Sequence, residues 1–339
     1  MRHILQTGAA RSSRLFRHLR LWIRRPKGVA SRESKKVVLV AVAANICIAV
    51  SKYIAAIASG SSSMMAEAFH SSADMGNELL LLWGMKRSRR PADERHPFGH
   101  GKALYFYSLL VAIYIFLIGG GLAIHQGIST WSKRAGESTL TWNYVVLGIA
   151  LLFDAYSWRV SYRELRSRRH PGQTTWAEIL SSKDPTVYTV FLEDSAGIVG
   201  TIIAFAGITL AHYYHDARFD AAGSLLIGSL LAGLAVLLGR ESGALLVGEA
   251  ANSRHIRRIR EIIQRDPAVE RVGDLLTMHL GPDEVLLNAD ISFRSSLDVR
   301  ELESAIDRLE KAIREQEPNI ARIFIEAEAL RGDERRKVA

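Results

Sequence analysis

His70 and Asp74 stand four residues apart within Met64–Leu82, part of an apolar stretch long enough to cross a bilayer. Residues four apart share one face of a helix, so both side chains point the same way. A carboxylate at bilayer depth costs from about 2.5 kcal/mol upward and is normally borne only beside a partner, an ion or water. Neutral imidazole plus carboxylate suits zinc and similar divalent cations. A polar contact inside a helix bundle would use the same residue types. A second acidic group, Glu193-Asp194, falls in the apolar segment Val187–Ala206. Adjacent residues lie about 100° apart on a helix, so only one of these can face a given partner. A His/Asp pair opposite one of these carboxylates would gather three ligands near the bilayer midplane, where a transported ion is expected. Asp93, His96 and His100 form a third group, in a segment that Pro97 and Gly99 keep from being one continuous helix. They could converge on a second cation, or belong to a solvated loop that happens to hold two histidines.

Such residues need a lipid-embedded scaffold, and the chain of 339 residues supplies one. From about 36 to 245 it is mostly apolar, and its flanks are charged. Six segments approach spanning length, near 36–58, 63–85, 103–127, 142–163, 186–210 and 220–239. Asp154, Trp158 and Arg159 interrupt the fourth. Basic residues crowd the second and fourth connections and the stretch after the sixth segment, while the other connections are poor in them. The positive-inside rule then predicts two cytoplasmic termini. Residues 1–35 are rich in arginine, with Glu33 the one acidic side chain among them. They read as a cytoplasmic tail at an anionic membrane surface, with an organellar transit peptide as the alternative. Gly119, Gly120, Gly121, Gly223, Gly228 and Gly233 predict close helix packing.

The single cysteine, Cys47, excludes an intrachain disulfide and a cysteine metal cluster. The net charge of +9 does not point to nucleic acid, because its basic residues flank apolar spans and form no aromatic-studded face.

Residues 246–330 read as a separate soluble domain. Ser253 is the predicted cap of a helix ending near Arg265. Val269–Leu280 and Glu284–Phe293 alternate as strands about Gly281-Pro282. Leu297, Leu302, Ile306, Leu309 and Ile313 mark an amphipathic helix, and Ile320–Ile325 a last strand. The order is αββαβ, a two-layer, ferredoxin-like domain, followed by a charged tail at 331–339.

The chain resembles the cation diffusion facilitator family of divalent-metal transporters over about 36–330. The resemblance rests on six spans with cytoplasmic ends, His70-Ser71-Ser72-Ala73-Asp74, Leu192-Glu193-Asp194-Ser195-Ala196-Gly197, the His96–Lys102 loop and the C-terminal domain. It implies a homodimer that exports Zn²⁺ or a related ion (Cd²⁺, Co²⁺, Fe²⁺ or Mn²⁺) from the cytoplasm in exchange for protons. No prosthetic group is implied, and the cytoplasmic domain is metallochaperone-like. By that resemblance His70, Asp74 and Asp194 bind the transported ion, and Asp93, His96 and His100 form a cytoplasmic metal site. The family's first span-five ligand falls on Val190, which cannot bind metal. Glu193 is taken as the substitute, with Asn45 or a water as alternatives. Lys102 matches a lysine that locks the dimer against an acidic residue past span six. That position is Gly248 here, with Glu249 beside it. The C-terminal domain lacks the family's extra histidines and reads mainly as a dimerisation module. The implied membrane is a bacterial inner membrane or that of an organelle.

Two other functions remain in view. An intramembrane metalloenzyme could use His70 and Asp74, but no His-Glu-x-x-His motif or nucleophile elbow accompanies them. A non-transporting scaffold would not need to bear the cost of acids in two separate spans.

Overall fold

The structure is a computed structural model and describes residues 32–132, 140–168 and 185–328. Residues 1–31 of the basic N-terminal tail and the charged C-terminal tail lie outside these residues, and 32–35 begin the first helix. Helices α1 (Arg32–Ser59), α2 (Ser62–Ser88), α3 (Ala103–Thr130), α4 (Leu140–Arg168), α5 (Pro185–Tyr214) and α6 (Arg218–Val247) coincide with the six predicted segments. Among the described residues, Ala103–Thr130, Tyr188–Tyr214 and Arg218–Val247 are long and apolar enough to cross a membrane by length and composition. The sequence expectation of six is therefore met by three helices on this measure. Helix α2 carries Glu67, Asp74, Glu78, Lys86 and Arg87, α4 carries Asp154, Arg159 and Arg163, and in α1 the apolar part is the shorter Asn45–Ser59.

From Asn45 onward the chain is one compact unit. Its helical part reverses the usual radial order of polarity. Lys52, Glu67, His70, Asn77 and Glu193 are buried, whereas Ile54, Trp83, Leu152 and Val236 are each more than half exposed. A rind of large apolar side chains around a charged centre is what a hydrocarbon solvent selects.

The register between helices follows from their contacts. Asn77 meets Glu193, His70 meets Gly197 and Glu67 meets Gly200, so α2 and α5 run antiparallel. Tyr144 meets Thr209, Asp154 meets Gly197 and Trp158 meets Ser195, so α4 and α5 do as well. Asp220 near the start of α6 anchors the start of α2. It accepts hydrogen bonds from Ser61 Oγ at 2.9 Å, Ser63 N at 3.1 Å and Ser62 N. Ser61 itself caps the helix, accepting from Met64 N. These bonds satisfy amides that a helix start leaves open, and a carboxylate complements the positive end of the helix. The predicted small-residue packing is seen at Gly120, where an added Cβ would lie 3.0 Å from Ala232 N and 3.1 Å from Gly228 O of α6.

The C-terminal part contains α7 (Ser253–Gln264), β1 (Val269–Gly281), β2 (Glu284–Phe293), α8 (Val299–Gln316) and β3 (Ile320–Glu328). The predicted αββαβ order is observed. Asn252, and not Ser253, caps α7, its side chain accepting from Arg254 N. The cap lies one residue earlier because Asn252 has the extended ψ of 137° that leaves its side chain free to fold back. The sheet order is β1-β2-β3, with β1 antiparallel and β3 parallel to β2. A parallel return needs a crossover, which α8 provides. Asp298 and Glu301 start α8 with a capping box. Ile259, Ile263, Leu287, Ala289, Ile291, Leu309 and Ile313 fill the space between sheet and helices.

Candidate functional site

Helix α2 places Glu67, His70, Asp74, Asn77 and Glu78 along one side, one or two turns apart. His70 is 3% exposed, and its Nδ1 lies 3.5 Å from Asp74 Oδ1 without a hydrogen bond. Glu193 and Asp194 diverge, as two adjacent helical residues must. Glu193 Oε1 turns to α2 and accepts from Asn77 Nδ2 at 2.7 Å. Asp194 Oδ2 turns to α4 and accepts from Ser157 Oγ and Ser161 Oγ, each at 3.0 Å. Asn45, the alternative donor, is engaged with Glu78 Oε1 at 2.7 Å. Val190, four residues before Asp194, is 36% exposed and carries no donor atom.

His70, Asp74, Glu193 and Asp194 thus line the facing walls of α2, α4 and α5 without collapsing onto one another. Among the described residues, the group of three ligand side chains with donor atoms all within 4.8 Å is the loop trio, Asp93, His96 and His100. Hydrogen bonds to Asn77 on one side and to Ser157 and Ser161 on the other direct Glu193 and Asp194 to different helices.

Two residues that sequence reasoning passed over belong to the same interior. Lys52 of α1 is 1% exposed, and its Nζ donates to Glu67 Oε2 at 2.8 Å. Thr201 Oγ1 also reaches Glu67 Oε2, at 3.4 Å. A lysine in one apolar segment and acids in the next are a readable signal, since charges in such segments are expected to pair. Asp154 of α4 is the other. Its spacing to Ser157 and Ser161 marks a polar stripe, where the sequence alone suggested only an interrupted span.

The loop trio sits between α2 and α3. Asp93 Oδ1 accepts from Arg95 N at 3.0 Å and His96 N at 2.7 Å. The His96 backbone N–H bound to Asp93 holds its carboxyl below the usual carboxylate range, and the His96 side chain adds to the effect. His96 Nδ1 lies 3.2 Å from Asp93 Oδ1, and His100 Nε2 lies 3.5 Å from Asp93 Oδ2. His100 Nδ1 faces Pro91 O at 3.2 Å. A proton on Nδ1 satisfies that carbonyl and leaves the Nε2 lone pair toward Asp93, the arrangement by which an outer partner orients a metal-binding imidazole. An ionised carboxylate and two imidazoles at this spacing fit a divalent cation with room for a further ligand. The same loop meets the C-terminal domain, with Phe98 edge-on to Phe324 at 6.4 Å between ring centroids. Lys102 Nζ reaches Leu246 O and Met278 Sδ, each at 3.5 Å. Glu249 receives His279 N on its carbonyl oxygen at 3.1 Å.

The chain matches the cation efflux transmembrane domain over residues 38–247 and the cation efflux protein cytoplasmic domain over residues 251–330. It is 30% identical over 283 residues to the mouse mitochondrial proton-coupled zinc antiporter SLC30A9, covering 81% of this chain and 50% of that protein. It is 26% identical to metal tolerance protein C4 of Arabidopsis thaliana, over 88% of this chain and 74% of that one. It is 22% identical to the manganese efflux system protein MneS of Bacillus subtilis, over 82% and 90%. The chain spans about half the length of the zinc antiporters it matches.

Proposed function

Because the chain belongs to the cation efflux family, the cation diffusion facilitators, we propose that it exports a divalent metal cation, Zn²⁺ first, from the cytoplasm in exchange for protons. The observation that carries the proposal is the imidazole–carboxylate pair of α2, with His70 buried and Asp74 half-buried in an apolar helical body, beside the acids of α5. In this reading all six long helices cross the bilayer. The domains are 1–35, a basic tail; 36–245, the membrane domain; 246–330, the cytoplasmic dimerisation domain; and 331–339, a charged tail. The working unit is a homodimer, with Lys102 and Glu249 near the seam between membrane and cytoplasmic domains. The membrane is a bacterial inner membrane or an organellar one, and the mitochondrial name of the mouse relative favours the second.

His70, Asp74 and Asp194 receive the ion, with Glu193 on the same wall. Binding displaces protons, because imidazole and carboxylate ligate in their deprotonated forms. Once the helices rearrange and the site opens to the other side, protons return to these groups and release the ion. Imidazole biases the site toward Zn²⁺, while the carboxylates leave Cd²⁺, Co²⁺, Fe²⁺ and Mn²⁺ as further candidates, and the manganese relative keeps Mn²⁺ in view. Asp93, His96 and His100 hold a second ion at the cytoplasmic surface.

The test is Zn²⁺ uptake by proteoliposomes under an imposed pH gradient. Wild type should exchange Zn²⁺ for protons, and Asp74→Ala and Asp194→Ala should abolish exchange. Uptake of Mn²⁺ but not Zn²⁺ would keep the transporter and reject the ion. No movement of any divalent cation by wild type would reject transport.

A further inference from the structure

The transport reading leaves one coordination place open, because Val190 has no donor atom. Asp154 stands nearby, across Gly197 from His70. The contacts of α5 with its neighbours put His70, Gly197 and Asp154 at one level of the bundle. A Cβ added to Gly197 would lie 3.1 Å from His70 Nε2 and 3.3 Å from Asp154 Oδ2. The two donor atoms therefore border one small space, which exists because residue 197 has no side chain. His70 is 97% buried, since its exposure is 3%. At the notch Asp154 Oδ2 is buried without a hydrogen-bond partner among the described residues. His70 turns its Nε2 to the notch and its Nδ1 toward Asp74 Oδ1, 3.5 Å away. An unpaired buried carboxylate oxygen is costly, and its place opposite an imidazole nitrogen points to a cation between them. Glu193 is engaged elsewhere, by Asn77.

We infer that Asp154 of α4 is a ligand of the transported cation, sharing with His70 the notch at Gly197 and taking the place left empty at Val190. The inference rests on the transport reading. The set is then His70 and Asp154 at one level and Asp74 and Asp194 toward the next turn. One imidazole and three carboxylates on α2, α4 and α5 make up a four-donor set of the type zinc binds; their donor atoms stand wider apart here than around a bound ion, so the helices draw together as it loads. The site then spans three helices, so a shift of α4 against α2 changes its coordination directly. A three-carboxylate set also explains how one pocket could accept Mn²⁺ beside Zn²⁺.

The test uses the full chain carrying His96→Ala and His100→Ala, so that Co²⁺ reports on the intramembrane site. The parent should bind one Co²⁺ per chain with the visible bands of a four-coordinate nitrogen and oxygen site. Asp154→Asn, nearly isosteric, should weaken that affinity by about tenfold or more and alter the bands. Gly197→Ala, which fills the notch while keeping every ligand, should weaken binding as well. In chains that retain His96 and His100, Co²⁺ binding at the loop together with a single size-exclusion peak shows that each variant has folded. Proteoliposome Zn²⁺ flux of the loop-intact variants should fall in parallel. Parent-like affinity, spectrum and flux in Asp154→Asn, with Asp74→Ala inactive, would overturn the role of Asp154 and leave the transporter standing. Loss of Co²⁺ with Glu193→Gln but not with Asp154→Asn would assign the fourth place to Glu193 and likewise overturn it. A parent that neither binds Co²⁺ nor moves a divalent ion would reject the transport reading itself, and this inference with it.

Discussion

Replacing Lys52 with methionine should destabilise the helical domain far more than removal of a surface charge. The Lys52–Glu67 contact is 2.8 Å long, with side chains 2% and 0% exposed. Water cannot stand in for the missing partner. Methionine keeps most of the apolar stem, so little of the loss comes from packing. Glu67 would retain Thr201 Oγ1, at 3.4 Å, a weak donor for a carboxylate. Breaking a buried pair from one side costs about 3–5 kcal/mol, against about 0–1 kcal/mol for an exposed pair. Glu67→Leu should cost a similar amount by stranding the ammonium. The double variant should return to within about 1 kcal/mol of wild type or exceed it, because buried ion pairs are often no better than well-packed apolar substitutes. The assay is reversible unfolding in mixed detergent micelles, analysed as a double-mutant cycle. A Lys52→Met cost below about 1 kcal/mol, or simple additivity in the double variant, would refute the pairing.

Three further outcomes follow from other contacts. Ser157→Ala with Ser161→Ala removes both hydroxyl donors to Asp194; Co²⁺ affinity at the intramembrane site should fall by about tenfold to a hundredfold, as titration would show, because the carboxylate loses its orientation. Asp220→Ala leaves the first amides of α2 without their acceptor; it should cost about 1–3 kcal/mol in the same unfolding assay and speed hydrogen exchange at Ser62 and Ser63. Asp93 titrates below the usual carboxylate range in the folded loop. Its contribution to loop order is therefore complete above the unfolded value and lost as pH falls through the lower folded one. The His96 amide resonance, followed during acid titration, should shift below the ordinary carboxylate range; a shift within that range would contradict the hydrogen bond.

Much of this protein is written locally. Apolar runs of spanning length placed all six long helices, and period-two alternation placed the three strands of the αββαβ unit, because both patterns record which side of an element meets which solvent. The spacing of His70 to Asp74, and of Asp93 to His96 and His100, likewise shows which side chains can share a helix face or a loop. What the linear pattern could not decide is which helix completes a site begun on another. Glu193 and Asp194 look equivalent in sequence, yet one faces Asn77 of α2 and the other Ser157 and Ser161 of α4. Lys52 finds Glu67 across fifteen residues, and Asp154 reaches the level of His70 only because Gly197 lets α2 and α4 approach the same point on α5. Helix positions and the candidate ligands of α2, α5 and the loop were legible in sequence alone, since each depends on period and solvent, whereas Asp154 was not. The pairing of charges in the interior belongs to tertiary structure, since it depends on the register of helices packed against one another.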